Sequence, residues 1–290
     1  RNDFFLKPNG LKASYEYTRI IDEILIDIFS CSVKNARFSD LVLCASGGYG
    51  RKELAPYSDV DILFFTEKKV THSRIKESVK KILYSLWDLN LKVGHSLRNL
   101  NQGLSSSDID QTAATNMLDA RFLAGNYLIY KKFRKTITSF FKFEKNFINL
   151  KMNEKELRLR EKTTEQYFLE PDIKYSKGGL RDINLIFWAM KIRYSVSTID
   201  DMLKLNLITS FEYRKIRYLL KFIFTIRFFL HYLSERPNDR LTFEYQRKIS
   251  NLMKYKSRKK TLGVERFMKH YHLQVRNCIC LNYIFLENNP

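Results

Sequence analysis

The stretch SGGYGRKELAPYSDVDILFF (residues 46–65) places two aspartates two positions apart in an apolar run. The run VDILFF predicts a β-strand, and side chains two positions apart on a strand lie on the same side. Asp59 and Asp61 therefore present two carboxylates to one place, where their charges repel unless a cation lies between them. Hard oxygen ligands of this kind suit Mg²⁺ that also binds substrate phosphates. The pair predicts a divalent metal site.

The glycines before the aspartates predict the other half of a nucleotide site. LVLCAS (41–46) predicts a strand, and Gly47 and Gly48 then allow the backbone to approach a ligand closely. A short helix is expected over 51–54, ended by Pro56. Free N–H groups at a helix start can bind phosphate oxygens. The chain contains no Walker lysine motif, so the pattern is not that of a P-loop.

The segments around this stretch predict a small mixed α/β unit. Residues 15–30 and 73–89 have the apolar spacing of helices. Residues 91–100 alternate between apolar and polar, which predicts a third strand. Strands and helices thus alternate over this part of the chain.

The β signals nearly vanish after Ser107. Helical periodicity covers residues 108–142, 150–167, 182–196, 209–235 and 241–286. The predicted fold class is therefore α+β. A head with a small mixed sheet is expected in residues 1–145, and an all-helical domain in residues 146–290.

The composition indicates where the chain works. Its 290 residues carry a formal net charge of +20, which favours a polyanionic partner or a solvated basic surface. Its four cysteines are too few for a disulfide framework, so a reducing cytoplasm is expected, with Cys44 a small core residue. The apolar stretch LLKFIFTIRFFLHYL (219–233) is interrupted by Lys221 and Arg227. It is expected to be a core helix, and no membrane contact is expected.

Two glycines followed about ten residues later by Asp-x-Asp resemble the polymerase-β-type nucleotidyltransferase superfamily. The longer string GGYGRKELAPYSDVDILFF resembles the uridylyltransferases that modify the nitrogen-regulatory P-II protein, the GlnD family. Further resembling segments follow in the order of the family: WDLNLKVGHSLRNL (87–100), TAATNMLDARFLAGN (112–126), LEPDIKYSKGGLRDINLIFW (169–188), RFFLHYLSERPNDRLTFEYQ (227–246) and VERFMKHYH (264–272). The resemblance covers nearly all of the chain. It implies a polymerase-β-like head and a helical domain of the GlnD type.

The resemblance also implies the chemistry. Asp59 and Asp61 would bind catalytic Mg²⁺, which neutralises the triphosphate of UTP and activates the attacking oxygen for transfer of UMP. The acceptor would be a tyrosine hydroxyl of the P-II protein, and pyrophosphate would be released. The residues expected to bind the nucleotide are Ser46, Gly47, Gly48, Arg51 and Ser58. UTP is expected over ATP from the resemblance alone, because no residue that reads the uracil is identified.

The site departs from the superfamily in one respect. Many members carry a third carboxylate on the following strand, whereas LKVGHSLRNL (91–100) has Gly94 or His95 in that region. His95 is either a polar site residue or a hydrogen-bonded structural histidine. The acidic residues that remain as candidates for the third ligand are Asp88, Asp108, Asp110 and Asp119.

The resembled enzymes also carry an HD phosphohydrolase domain, which removes UMP, and ACT domains that sense glutamine. This chain has no His-Asp dipeptide, and its histidines are His72, His95, His231, His270 and His272. A uridylyl-removing activity is therefore not expected from these residues. The chain is expected to be either a fragment or a reduced protein that keeps the transfer half.

The loop EPDIKYSKGGLRD (170–182) interrupts the predicted helices. One interpretation places Lys174, Lys177 and Arg181 over the nucleotide cleft, because loops often carry functional residues. The alternative is a turn in which Asp182 caps the following helix.

Two other functions remain open. An RNA nucleotidyltransferase of the same superfamily would use the basic charge, but the segments after residue 100 and the lack of an aromatic-basic platform argue against nucleic acid as a partner. A non-catalytic interaction module is the other, and the intact Asp59 and Asp61 count against it.

Overall fold

The chain folds as two units. A computed structural model describes residues 1–33, 40–69, 72–100, 111–143, 146–160 and 169–287. One unit consists of residues 14–144, and the other combines residues 1–13 with residues 145–290. In the described part of the chain, the strands all lie in the first unit and the second unit is helical. The fold class is therefore α+β, as predicted. The domain limits of the whole protein stay a prediction.

A mixed sheet of four strands forms the centre of the described part of residues 14–144. The strands are Val42–Ala45 (β1), Val60–Thr66 (β2), Val93–Asn99 (β3) and Arg121–Gly125 (β4). Their order is β3-β2-β1-β4, with β1 antiparallel to both neighbours and β2 parallel to β3. The first three strands confirm the predictions, which came from two apolar runs for β1 and β2 and from the alternation over residues 91–100 for β3.

Strand β4 corrects the prediction of a continuous helix over 108–142. It lies between the helices Gln111–Leu118 and Tyr127–Phe143 and has only five residues. So short a strand leaves the helical spacing of its flanks almost unchanged. Gly125 ends it with φ +99°, and a Cβ at this position would overlap the Leu41 carbonyl.

Helices cover both faces of this sheet. Buried apolar side chains of the helices Gly10–Val33 and Ser73–Asp88 form one core cluster with Val60, Ile62 and Phe64. On the opposite face, Phe65 of β2 stacks on Phe133 of the helix Tyr127–Phe143 with ring centroids 3.9 Å apart. Cys44 is buried in β1, as predicted. Successive side chains of β2 therefore pack into two apolar layers, one on each face of the sheet, except at the first residues of the strand.

The second unit is built from helices. They are Asn2–Leu6, Phe147–Arg160, Leu180–Tyr194, Ile199–Lys204, Ser210–Ser234, Phe243–Leu252 and Gly263–Asn282, with a π-helical turn at Tyr283–Glu287. The helix Ser210–Ser234 is the predicted core helix, and its Phe228 and Phe229 pack against Phe4 at centroid distances of 5.2 and 5.0 Å. Residues 161–168 of the predicted helix 150–167 lie outside the described residues.

The predicted helix over 241–286 is wrong in one respect, because residues 253–262 form a loop between two helices. This loop contains neither proline nor glycine, so the sequence carries no breaker signal. Lys254 takes φ +60°, and Gly263 begins the second helix where a Cβ would overlap the Tyr255 carbonyl.

None of the helices in the described segments is both long enough and apolar enough to cross a membrane.

Candidate active site

Asp59 and Asp61 lie on either side of Val60, the first residue of β2. Val60 is buried, and its N–H donates to the Lys92 carbonyl at 2.8 Å. Side chains of neighbouring residues in extended chain point to opposite sides, so both carboxylates point away from the core that Val60 enters. Asp59 is exposed and Asp61 is partly buried. The arrangement matches the one expected from the spacing.

Two glycines provide the space for the Asp61 carboxylate. Asp61 pairs with Gly94 of β3, and a Cβ at Gly94 would overlap Asp61 Oδ1. A Cβ at Gly47 would lie 3.0 Å from Asp61 Oδ2, and Gly47 takes φ +53°. The Ser46 N–H donates to the Asp61 carbonyl at 2.9 Å. The Asp61 carboxylate thus lies between the backbones of Gly47 and Gly94, at positions where any side chain larger than that of glycine would overlap or crowd it.

The glycines themselves form the short helix Gly47–Gly50, whereas the sequence predicted a short helix over 51–54. The Gly50 N–H donates to the Ser46 carbonyl at 2.8 Å, and Lys52 takes φ +63° just after the helix. Glycine is a poor helix former, so its local preference does not predict this helix. Contacts with the neighbouring elements hold it instead.

Arg51 follows the glycine helix and is held by two carboxylates. Its Nε donates to Glu53 Oε2 at 2.7 Å, and its Nη1 donates to Asp119 Oδ2. Burial alone would lower the pKa of Arg51, but Glu53 and Asp119 outweigh it and raise the pKa above its ordinary value. The Arg51 guanidinium is therefore already bound by two carboxylates of the protein. Its predicted contact with a phosphate stays a prediction.

Arg121 of β4 holds the glycine helix from another side. Its Nη1 and Nη2 donate to the two oxygens of Asp22 at 2.8 and 2.9 Å, and its Nε donates to the Gly50 carbonyl at 3.2 Å. Its guanidinium also lies 5.5 Å from the ring centroid of Tyr49, which is fully buried. A cation at the last carbonyls of a helix is favourable. The pair Arg121–Asp22 therefore fixes the position of the glycines.

The loop after the glycine helix is fixed by Ser14. The Ser14 hydroxyl donates to the carbonyls of Lys52 and Leu54 at 3.1 and 2.8 Å. The start of the loop that leads to the aspartates is thus tied to the long N-terminal helix.

Two polar side chains accompany the aspartates. The Ser58 hydroxyl is buried and has no hydrogen-bond partner among the described residues, directly before Asp59. Such an orphaned group is costly, which favours a ligand at this place. Asn116 Oδ1 lies 3.3 Å from where a Cβ at Gly47 would be. Sequence reasoning missed Asn116, for which the only signal is its place in the resembling segment 112–126.

The structure narrows the candidates for a third carboxylate. Asp119 is fully buried and is bound by Arg51. Asp88 ends the helix Ser73–Asp88 and is exposed. Asp108 and Asp110 lie outside the described residues. The third metal ligand therefore stays open.

His95 lies on the other face of the sheet from Asp61. Gly94 pairs with Asp61 across β2 and β3, and His95 pairs with Ile62, whose side chain enters the core cluster. Successive strand residues alternate between faces. A role of His95 beside the carboxylate pair does not fit this register.

The residues present fit Mg²⁺. Asp59 and Asp61 supply hard oxygen ligands, and the residue directly before Asp59 is Ser58, whose buried hydroxyl has no hydrogen-bond partner among the described residues. In the described segments, no group of three or more His, Cys, Asp or Glu side chains could hold a metal. Asp59 and Asp61 would supply part of the coordination sphere, and substrate phosphates and water would supply further ligands, which is how Mg²⁺ is usually bound.

The predicted cleft loop belongs to the helical unit. Lys174 Nζ and the Arg181 guanidinium lie 5.1 and 5.6 Å from the ring centroid of Tyr175. Burial alone would raise the pKa of Tyr175, but Lys174 and Arg181 outweigh burial and lower it. Lys177 is exposed. Lys174 and Arg181 thus place two positive charges at Tyr175, while the loop as a whole also carries Glu170, Asp172 and Asp182. Its place over a nucleotide stays a prediction.

Asp182 closes this loop from within the following helix. The helix begins at Leu180, and Asp182 Oδ2 accepts the Gly178 N–H at 2.8 Å. Its Oδ1 accepts from Arg158 at 2.9 Å, and its side chain is buried. Asp182 thus lies in the first turn of the helix instead of at its cap position, where Gly179 lies.

Comparison with known proteins gives one consistent result. The family model described as GlnD PII-uridylyltransferase matches residues 146–286. The protein named "Bifunctional uridylyltransferase/uridylyl-removing enzyme" from Azospirillum brasilense is 38% identical to this chain over 251 residues, which is 84% of the chain and 26% of the relative.

Proteins of the same name give similar matches in other organisms. That of Hydrogenovibrio crunogenus is 35% identical over 279 residues, covering 94% of the chain and 31% of the relative. That of Rhodospirillum rubrum is 34% identical over 297 residues, covering 97% and 31%. The chain spans less than a third of the length of these curated relatives.

Proposed function

Because the chain belongs to the GlnD PII-uridylyltransferase family, we propose that it transfers UMP from UTP to a tyrosine of a P-II protein and releases pyrophosphate. The observation that carries the proposal is the Asp61 carboxylate between Gly47 and Gly94, with Asp59 two residues before it. A strand residue with a purely structural role does not require glycines on both sides of its side chain. A carboxylate that binds a metal and a triphosphate requires an open position of this kind.

Each residue then has a role in the transfer. Asp59 and Asp61 hold Mg²⁺, which when bound neutralises the triphosphate and favours the ionised acceptor oxygen. The backbone at Ser46, Gly47 and Gly48 lies along the phosphates, since no Cβ blocks their approach at the glycines. The Ser58 hydroxyl, which has no partner in the described part of the protein, donates to a phosphate oxygen. These groups position the α-phosphate for attack without a covalent intermediate on the protein.

The proposal assigns the transfer half of the relatives' name to this chain. The aspartates and glycines serve nucleotidyl transfer, and no His-Asp dipeptide is present among its residues. We also propose UTP as the donor and the cytoplasm as the location. The choice of UTP rests on the family alone.

The test is to incubate the chain with Mg²⁺, UTP labelled at its α-phosphate and a P-II protein. Label should appear on P-II and should be absent when the acceptor tyrosine of P-II is replaced by phenylalanine. Excess unlabelled UTP should suppress labelling more than the same excess of ATP.

Two other results would redirect the proposal. Label on added RNA but not on P-II would favour an RNA nucleotidyltransferase, a function with which the net charge of +20 is compatible. No label on any acceptor, from a folded chain, would favour an interaction module.

A further inference from the structure

A cavity of about 480 Å³ lies in the helical unit. Its walls come from the helix Ser210–Ser234, the loop 253–262, the start of the helix Gly263–Asn282, and Pro8. This volume is in the range of sites that bind small molecules. No residue of the candidate active site contributes to it.

Among the described residues that line the cavity, five are cations and none is acidic. The cations are Lys221, Lys254, Lys256, Arg258 and Arg266. In the described part of the chain, none of them forms an ion pair with a carboxylate. By contrast, Arg227 on the same long helix is paired with Asp239 at 2.9 Å. Lys221, Lys254, Lys256 and Arg258 are exposed, so solvent screens part of their repulsion, and an anion in the cavity would remove what remains.

One side of the cavity is aromatic. The His270 ring lies 4.4 Å from the ring of Phe222 and 5.8 Å from that of Tyr218, measured between centroids. His270 Nε2 is 3.2 Å from the Tyr218 hydroxyl, and Nδ1 is hydrogen-bonded to the Tyr255 hydroxyl. Both ring nitrogens are therefore engaged, which fixes the orientation of all three polar rings. Burial lowers the pKa of His270, so the neutral ring prevails at neutral pH.

The loop that carries three of the cations is held in place. The Arg258 and Thr261 backbones exchange two hydrogen bonds of 3.0 Å, and the Ser257 hydroxyl accepts the Gly263 N–H at 3.0 Å. Arg266 Nη1 donates to the loop backbone at 2.5 Å. Because the loop backbone is already fixed, ligand binding would have to order only the side chains of these cations.

We propose that this cavity binds a nucleoside polyphosphate, distinct from the nucleotide of the active site. The phosphates would contact Lys221, Arg266 and the basic loop, and the base would lie against the rings of Tyr218 and His270. A ligand with both parts uses the cations and the aromatic side together, which neither a simple anion nor an apolar molecule does. The volume fits a ligand of about one nucleotide, and binding of a nucleic acid instead is an outcome that the test separates.

The test uses the full chain in EDTA, so that the aspartate site has no divalent cation. Binding of ATP, inorganic tripolyphosphate and adenosine is measured by equilibrium dialysis. We expect saturable binding of ATP, with tripolyphosphate about tenfold weaker because it lacks a base. Adenosine alone should bind more weakly still.

Variants test whether ATP binds in this cavity. The double variant Lys221→Gln with Arg266→Gln should weaken ATP binding about tenfold or more. Lys269→Gln, an exposed change on the helix of Arg266, is the matched control and should bind as the wild type does. Tyr218→Ala should remove the preference for ATP over tripolyphosphate. Because ATP binding is measured in EDTA and uridylyl transfer in Mg²⁺, this proposal and the uridylyl-transfer proposal fail separately.

Several results would overturn the proposal. These are no saturable ATP binding, ATP binding that is unaffected by the double variant, and tripolyphosphate binding as tight as that of ATP. Binding of an RNA oligomer without binding of ATP would assign the basic residues to a macromolecular surface. Thermal unfolding of each variant shows whether a loss of binding is a loss of folding.

Discussion

Gly94 is the residue that most directly reports on the Asp61 carboxylate. It faces Asp61 across the parallel strands β2 and β3, and an added Cβ would overlap Oδ1. We expect Gly94→Ala to reduce uridylyl transfer about 100-fold, because a displacement of about 1 Å at a reacting centre costs this much. The measurement is the steady-state rate of P-II labelling at saturating Mg²⁺ and UTP.

Ser96→Ala is the control for Gly94. Ser96 lies on the same face of β3, two residues further along, and pairs with Leu63. Its removal should leave the rate within about twofold, as for a surface change away from the site. Equal rates in Gly94→Ala and the wild type would show that the Asp61 position does not matter for transfer.

At this scale the sequence predicts the identity of the site residues but not their contacts. The spacing of Asp59 and Asp61 fixes a common side for any extended chain, so no structure is needed for that step. The space around Asp61 depends on the register of β2 against β3, and on Asn116 of a helix far along the chain. No local pattern encodes these contacts.

The glycine helix depends on an ion pair between two other elements. Arg121 of β4 is bound by both oxygens of Asp22 and also donates to the Gly50 carbonyl. We expect Arg121→Met to lower the free energy of unfolding by about 3 kcal/mol, since it leaves a largely buried carboxylate without its partner. Urea denaturation at pH 7 measures the change.

The exposed pair Arg19–Glu23 on the same helix as Asp22 is the comparison for this variant. Its side chains are 73% and 62% exposed, so Arg19→Met should change the free energy of unfolding very little. A similar small effect of Arg121→Met would mean that packing, not the ion pair, holds the glycine helix.

The elements show where pattern reading fails. The apolar runs predict β1 and β2, and the alternation over residues 91–100 predicts β3. The amphipathic helix predicted over 73–89 is found as Ser73–Asp88. The prediction misses the edge strand β4 because RFLAG is short and flanked by helices. It places the short helix at 51–54 instead of Gly47–Gly50 because glycines are poor helix formers. In both cases tertiary contacts override local preference.

The stability of the molecule should depend on pH through Asp239 in the helical unit. Asp239 accepts from Arg227 Nε at 2.9 Å and lies 3.6 Å from His231 Nε2. Burial alone would raise the pKa of Asp239, but Arg227 and His231 outweigh burial and hold the pKa below its ordinary value. A carboxyl with a lowered pKa stabilises the folded state above the pKa of the unfolded chain, which is about 3.9 for aspartate.

We therefore expect Asp239→Asn to cost about 3 kcal/mol of unfolding free energy at pH 7, because Arg227 is then buried without its partner. The difference from the wild type should shrink as the pH falls below about 4, since Asp239 of the unfolded wild-type chain then takes up a proton and the wild type loses the stability that the ionised carboxyl contributes. Urea denaturation between pH 7 and pH 3 measures both values. The exposed Asp27→Asn should keep the pH dependence of the wild type, and a constant cost of Asp239→Asn over this range would contradict the account.

For the molecule as a whole, the sequence predicts the class and the order of its parts. The loss of β signals after Ser107 predicts a sheet-containing part followed by helices, with the exception of β4. The basic cavity could not be predicted, because Pro8, Tyr218, Lys256 and His270 come from distant parts of the chain. Only packing of the helices brings them together.

The central claim is that Asp59 and Asp61 carry metal-dependent uridylyl transfer. The most direct measurement compares P-II labelling from α-labelled UTP and Mg²⁺ by the wild type, Asp59→Asn and Asp61→Asn, with the thermal unfolding of each recorded beside it. The substitutions remove a charge and almost no volume. We expect both variants to remain folded and to lose about a thousandfold or more in rate, as for the removal of several kcal/mol of metal-based stabilisation. A folded variant that labels P-II at the wild-type rate would contradict the account.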